Sequence, residues 1–143
     1  MSQYLKNKFN ILGVDYGEVN TGFAVSVDGI SSPLKIVSSK NFFHFLQELQ
    51  RVIQDYNIKL IVFGLPDSYE NKDTKQSIKV RQVVNNLKKY IKIPFEYVSE
   101  YGTTSEALAN GIISSMSRKS RNKKNDHYSA NIILMNYLEN KEL

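Results

Sequence analysis

The sequence predicts an α/β fold: a mixed five-stranded sheet of three antiparallel and two parallel strands, flanked by helices. Three observations predict it. The first forty residues or so alternate short apolar runs with turn residues, as an antiparallel meander does. From Phe42 the apolar residues recur at helical spacing instead. Two later apolar runs, 59–63 and 94–98, are separated by a second helical segment, the pattern of strand–crossover–strand units.

Residues 9–16 (FNILGVDY) read as the first strand and 20–27 (NTGFAVSV) as the second, with a turn near Gly17 to Asn20. Asp28-Gly29 is a hairpin signal, and a third strand is expected near 33–38. Phe42, Phe45, Leu46, Leu49, Val52, Ile53 and Tyr56 fall on one helical face, with Asn41 as N-cap. The β-branched run 59–63 (KLIVF) reads as a buried strand ended by Gly64-Leu65-Pro66, and 67–73 as a polar loop. Asp73-Thr74-Lys75-Gln76 has the form of a capping box. The helix it opens has Val80, Val83, Val84, Leu87, Tyr90 and Ile91 as its stripe. The last strand is 94–98 (PFEYV). Thr103-Thr104-Ser105-Glu106 is a second capping box, for a helix to about Met116. A final helix from about 126 has Ala130, Ile133, Leu134, Tyr137 and Leu138 on one face. Right-handed crossovers place strands four and five parallel to strand one, so their ends share one edge. Ligands of open α/β sheets bind beyond such ends.

The 143 residues suit one domain, and 41% hydrophobic content is enough for a core. The absence of cysteine excludes disulfides and thiolate chemistry. No apolar run approaches the roughly 18 residues of a membrane span. The start, Met1 to Lys8, has no signal-peptide core, so a soluble cytoplasmic protein is expected. The net charge of +5 has a location: Arg118, Lys119, Arg121, Lys123 and Lys124 hold five of the 19 basic residues, and the other 14 balance the 14 acids. Such a patch suits a polyanion, nucleic acid above all, although a solvated loop explains it too.

Asp15 ends the first strand, and a carboxylate in a core-like strand costs several kcal/mol to desolvate unless compensated. Glu100 follows the last strand, and Asp126 starts the last helix two residues after the basic run. The topology brings two strand ends and one helix start to the same edge. Three carboxylates there would suit hard cations such as Mg²⁺ or Mn²⁺. A pair of ions about 3.5–4 Å apart supports phosphodiester hydrolysis by activating water and stabilising the leaving oxygen. Each acid also has a plainer role: turn hydrogen bonding for Asp15, an exposed loop position for Glu100, a helix N-cap for Asp126. Tyr16 and Tyr101 flank candidate acids, where base stacking and core packing are both open. Arg81, a cation within the second helix, would reach a phosphate or lie on a solvated face. His127 and His44 have the default reading of structural or solvated side chains.

Asp15-Tyr16-Gly17 with Thr21-Gly22-Phe23-Ala24-Val25, then Ile61-Val62-Phe63-Gly64-Leu65-Pro66, then Glu100 with Thr103-Thr104-Ser105-Glu106-Ala107, then Asp126 with Ser129-Ala130-Asn131 and Tyr137-Leu138 occur in a telling order. The set resembles the YqgF family of RNase H-like proteins, associated with pre-16S rRNA nuclease activity and related to the RuvC Holliday junction resolvases. The resemblance covers roughly residues 9–140. It implies a single RNase H-like nuclease domain over 1–143; the composition of 117–125 separately suggests a mobile basic loop. It implies Asp15, Glu100 and Asp126 as catalytic ligands of two Mg²⁺ or Mn²⁺ ions. It also puts Arg81 on a basic position of the family's second helix. Where the family reads Asp-Glu-Arg, this chain has Ser99-Glu100-Tyr101, which keeps the acid and loses its neighbours. The expected function is metal-dependent cleavage of structured RNA, in maturation of the 5′ end of pre-16S rRNA. The alternatives are junction resolution on branched DNA, by a monomer or homodimer, and RNA binding without catalysis. Nucleotide binding of the actin-like ATPase kind is disfavoured, because one domain of this length has no second lobe.

Overall fold

Asn10–Asp15 forms the central strand, β1, of a five-stranded sheet. The computed structural model describes residues 9–66, 74–99 and 126–142, with side chains of 129–139 in the last helix. The other elements are β2 (Asn20–Val27), β3 (Ile30–Ser38), α1 (Phe42–Tyr56), β4 (Ile58–Leu65), α2 (Lys75–Leu87), β5 (Phe95–Ser99) and α3 (Asp126–Glu142). The strand order is β3-β2-β1-β4-β5. β1 and β3 run antiparallel to β2, while β4 runs parallel to both β1 and β5. This is the expected mixed sheet of three antiparallel and two parallel strands.

Local chemistry sets the borders, several of which differ from the sequence reading. Asp28 (φ 55°) and Gly29 (φ 83°) both occupy the left-handed region, as a two-residue hairpin of the primed type requires. Pairing therefore resumes at once, Val27 against Ile30, and β3 begins at Ile30 rather than near residue 33. Pro33 lies within β3, which tolerates it as an edge strand, and the register shifts there between Phe23 and Ala24. Asn41 caps α1 by accepting from the His44 amide at 3.0 Å. Asn57 (φ 53°) ends α1 in the left-handed conformation, with its N–H donating to Ile53 and Gln54 carbonyls. β4 continues past Phe63, because Gly64 and Leu65 pair with Val98 and Ser99. The α2 cap is Thr74, not Asp73: its Oγ1 accepts from the Ser77 amide at 3.0 Å, and Ser77 Oγ accepts from the Thr74 amide at 2.9 Å. α2 ends at Leu87, so Tyr90 leaves the buried stripe and is exposed.

Helices cover both faces. α1 and α2 pack on one face over Leu12, Val14, Phe23, Ile61 and Phe63. α3 packs on the other over Ile11, Ala24, Leu60, Val62 and Val98, burying the expected Ala130, Ile133, Leu134, Tyr137 and Leu138. The loop 67–73, the segment from Thr103 to Met116 and the basic stretch 117–125 lie outside the described residues. Among the described residues, no helix is long and apolar enough to cross a membrane.

Candidate functional site

Side chains alternate along β1. Leu12 and Val14 enter the core under α1 and α2, while Ile11 faces α3. Gly13 and Asp15 continue the α3 side. Asp15 pairs with Gly22 of β2 at the strand end and is only partly buried, so its carboxylate meets both protein and solvent. Because β1, β4 and β5 are parallel, β4 and β5 finish at the same edge, Leu65 beside Ser99.

The chain after Asp15 is held by short polar contacts. The Gly17 amide donates to Thr21 Oγ1 at 3.2 Å, and Thr21 Oγ1 donates to the Gly17 carbonyl at 3.3 Å. Ser39 Oγ donates to that carbonyl as well, and Thr21 Oγ1 lies 3.0 Å from Ser39 Oγ. Both hydroxyl residues are buried, so this network satisfies groups that would otherwise be stranded. A Cβ on Gly17 would stand 2.4 Å from the Asn20 carbonyl oxygen, so only glycine fits the turn. Gln76 Nε2 of α2 donates to the Tyr16 carbonyl at 3.1 Å, tying that helix to the residue after Asp15. Sequence reasoning missed this cluster. Thr21, Ser39 and Gln76 are common residues whose partners lie up to 60 positions away.

α3 reaches β1 through a second glycine. A Cβ on Gly13 would meet the Ala130 carbonyl at 3.0 Å and Leu134 Cβ at 3.1 Å, so the helix rests on bare strand backbone. Ala130 is one turn into α3, whose first residue is Asp126. The strand residue it touches is two positions before Asp15. The side chain of Asp126 lies outside the described residues, as do Glu100, the residue after β5, and His127. Arg118, Lys119, Arg121, Lys123 and Lys124 lie outside them too. Asp15 is thus the one member of the expected triad whose side chain is described, and no group of three His, Asp or Glu side chains clusters among the described residues. Its donor chemistry, a partly buried carboxylate at a strand end, fits a hard divalent cation. Arg81 is exposed on α2, with its guanidinium 5.2 Å from the Tyr97 ring centroid.

Beside this edge a cleft of about 360 Å³ opens between the β1–β2 turn, the start of α1 and α2. Tyr16, Phe42 and Phe45 supply its apolar wall, and Glu18, Lys40, Lys79, Gln82 and Asn86 its polar one. Lys79 Nζ pairs with Glu18 at 2.8 Å. Burial, reinforced by the Glu18 carboxylate and opposed by Lys79, holds the Tyr16 phenol above its usual pKa. Tyr16 packs on Phe45 with ring centroids 5.7 Å apart, so its core-packing role is realised.

Known proteins are similar to this chain. Residues 9–140 match the family described as "RuvX: Holliday junction resolvase". A relative from Mycoplasma mobile with the name "Putative pre-16S rRNA nuclease" is 41% identical over 133 residues, covering 90% of this chain and 91% of the relative. One of the same name from Dictyoglomus thermophilum is 32% identical, covering 93% and 97%. Among solved structures, Thermus thermophilus RuvC in complex with Holliday junction substrate superimposes with a TM-score of 0.60 at 12% identity, covering 94% of this chain and 96% of that one. At that identity the likeness establishes the fold, and the fold is the RuvC-like, RNase H-like one. The whole described sheet, with Asp15 at the end of its central strand, lies inside the family match, and the chain belongs to the RuvX family of nucleases.

Proposed function

We propose that the protein is a metal-dependent nuclease that hydrolyses phosphodiester bonds of structured RNA, in maturation of the 5′ end of pre-16S rRNA in the cytoplasm. The observation that carries this reading is Asp15: a carboxylate at the end of the central strand, in a chain similar over nine-tenths of its length to a protein named for that activity. Asp15, Glu100 and Asp126 would hold two Mg²⁺ or Mn²⁺ ions. Bound there, such ions lower the pKa of a water and neutralise charge on the scissile phosphate. The chain's own part is positional. The glycine turn and its hydroxyl network fix the backbone after Asp15, and the Gly13–Ala130 contact fixes α3 against the same strand. Arg81 and the basic residues Arg118, Lys119, Arg121, Lys123 and Lys124 would hold the phosphate backbone.

The decisive experiment compares the parent and Asp15→Asn on a precursor 16S rRNA fragment, with Mg²⁺ and with chelator. Cleavage should need the metal and fall at least about a thousandfold in the variant, with an unchanged melting temperature. Equal cleavage by the variant would remove Asp15 from the site. The family description and the RuvC likeness favour a second reading, resolution of branched DNA. A four-way junction cut in preference to the rRNA fragment, by a symmetric dimer, would establish it. Salt-sensitive RNA binding without any cleavage would instead fit the changed neighbours of Glu100, Ser99 and Tyr101. Neutralising the five basic residues should weaken binding and flatten its salt dependence, the slope falling by roughly 0.7–0.9 for each phosphate no longer neutralised.

A further inference from the structure

The cleft beside Tyr16 leads to three aromatic rings on the surface. Phe42 belongs to both. Phe42 and Phe43 meet at 5.3 Å between centroids, and Phe43 and Tyr90 at 5.9 Å, each pair edge-on. Phe43 is 63% exposed and Tyr90 47%, so two large rings from different segments converge where water, rather than core, covers them. Isolated exposed rings are ordinary, but a convergent set beside a cleft marks a binding surface. The surroundings are basic. The cleft wall has Lys40 and Lys79 against the single carboxylate of Glu18. Lys88 and Lys89 are exposed and immediately precede Tyr90. Gln82 and Asn86 add amide groups able to donate to and accept from base edges.

We infer that the cleft and the Phe42–Phe43–Tyr90 rings hold an unpaired strand of the nucleic-acid substrate, with bases stacked on the rings and phosphates facing the lysines. The inference rests on the nuclease reading above and extends it from the cutting site to the path of the flanking strand. Cleft and Asp15 share one sheet edge, with Tyr16, the residue after Asp15, lining the cleft. Asp15 stands on the α3 side and the cleft on the side of α1 and α2, so a strand leaving the acid rounds the end of β1 past Tyr16 to reach the rings and lysines. Aromatic surfaces that stack bases serve single strands, because duplex bases are already stacked on each other.

The test is direct binding of full-length protein in chelator, where no cleavage occurs, so it stays readable even if the nuclease reading fails. The probes are a 12-nucleotide RNA and the same DNA, each carrying 2-aminopurine, and the corresponding duplexes. The parent should quench 2-aminopurine on binding either single strand. Phe43→Ala or Tyr90→Ala should each weaken single-strand binding about tenfold and remove the quenching. Phe43→Tyr and Tyr90→Phe should restore both, and duplex binding should be unchanged throughout. Lys40→Gln should reduce the salt slope by about 0.7. Stronger effects on RNA than on DNA would identify the natural strand as RNA, and the reverse as DNA. Single-strand binding that is absent in the parent, or unaffected by both alanine variants, overturns the inference and leaves the rings to a protein partner.

Discussion

On the face covered by α1 and α2, the sheet presents Leu12, Val14, Phe23, Ile61 and Phe63, all buried completely. On the face covered by α3 it presents the aliphatic residues Ile11, Leu60, Val62 and Val98 around Gly13 and Ala24, with Ser26 and Asp15. The first face packs rings in tilted contact: Phe23 against Phe45 at 6.2 Å, and Phe63 against Phe95 at 6.1 Å. The second lacks bulk at its centre and keeps polar groups. Ser26 Oγ and Asn131 Oδ1 are buried there without a hydrogen-bond partner among the described residues. Burial of large apolar side chains supplies most folding stability, and both faces contribute, the first with aromatic rings and the second with aliphatic side chains around a bare glycine. That glycine sets how closely a helix approaches the strand that ends in Asp15. The chemistry proposed for Asp15 thus falls on the side of the sheet opposite the ring packing.

Three substitutions probe that division. Phe63→Ala should cost about 3–5 kcal/mol in urea unfolding while cleavage per folded molecule is retained. A variant that folds normally but loses activity would place chemistry on the ring-rich face and break the division. Gly13→Val should cost less stability, about 1–3 kcal/mol, because it overpacks one contact with α3. Cleavage should nevertheless drop well beyond the unfolded fraction, since the start of α3 moves with the helix. Unchanged stability would show that α3 can lift from β1 at no cost. Glu48→Gln, on α1, should cost under about 1 kcal/mol, as a partly exposed ion pair does. Its carboxylate accepts from Lys35 at 3.0 Å, with Arg51 at 3.3 Å and His44 nearby, which lowers its pKa against the opposing effect of burial. A lowered carboxylate pKa stabilises the fold above the ordinary value, 4.5, and that share is lost as pH falls through the native value. Parent and variant should therefore differ at pH 6 and converge in acid, as followed by melting temperature.

Elements with a regular period were legible from the sequence. α1 with its Asn41 cap, the Asp28-Gly29 turn and the five buried residues of α3 stand where periodicity put them. The misreadings share a cause, namely partners distant in sequence. Ser31 and Ser32 look like loop, yet pairing to β2 makes them strand. Gly64 looks like a stop, yet pairing with Val98 continues β4. Gln76 looks like the return half of a capping box. The cap lies one residue later, with Ser77 in that role, and Gln76 spans to Tyr16 instead. Asp15 was legible because a carboxylate closing an apolar run is conspicuous. The need for glycine at 13 was not, because it comes from a helix more than a hundred residues on.

The place of β1 in the strand order has a consequence for the timescale on which the site can open. β1 is bonded on both sides, to β2 and to β4, whereas β3 and β5 each pair on one side only among the described residues. Fraying of an edge strand breaks a single ladder and takes little of the core with it. Displacing β1 breaks two ladders and opens both hydrophobic clusters together. Amide hydrogens at Leu12 and Val14 should therefore exchange only through global unfolding, while those of β3 escape through smaller openings. The carboxylate at the end of β1 is anchored to the slowest-opening unit of the molecule. Its station persists through local fluctuations that undo the rim of the sheet.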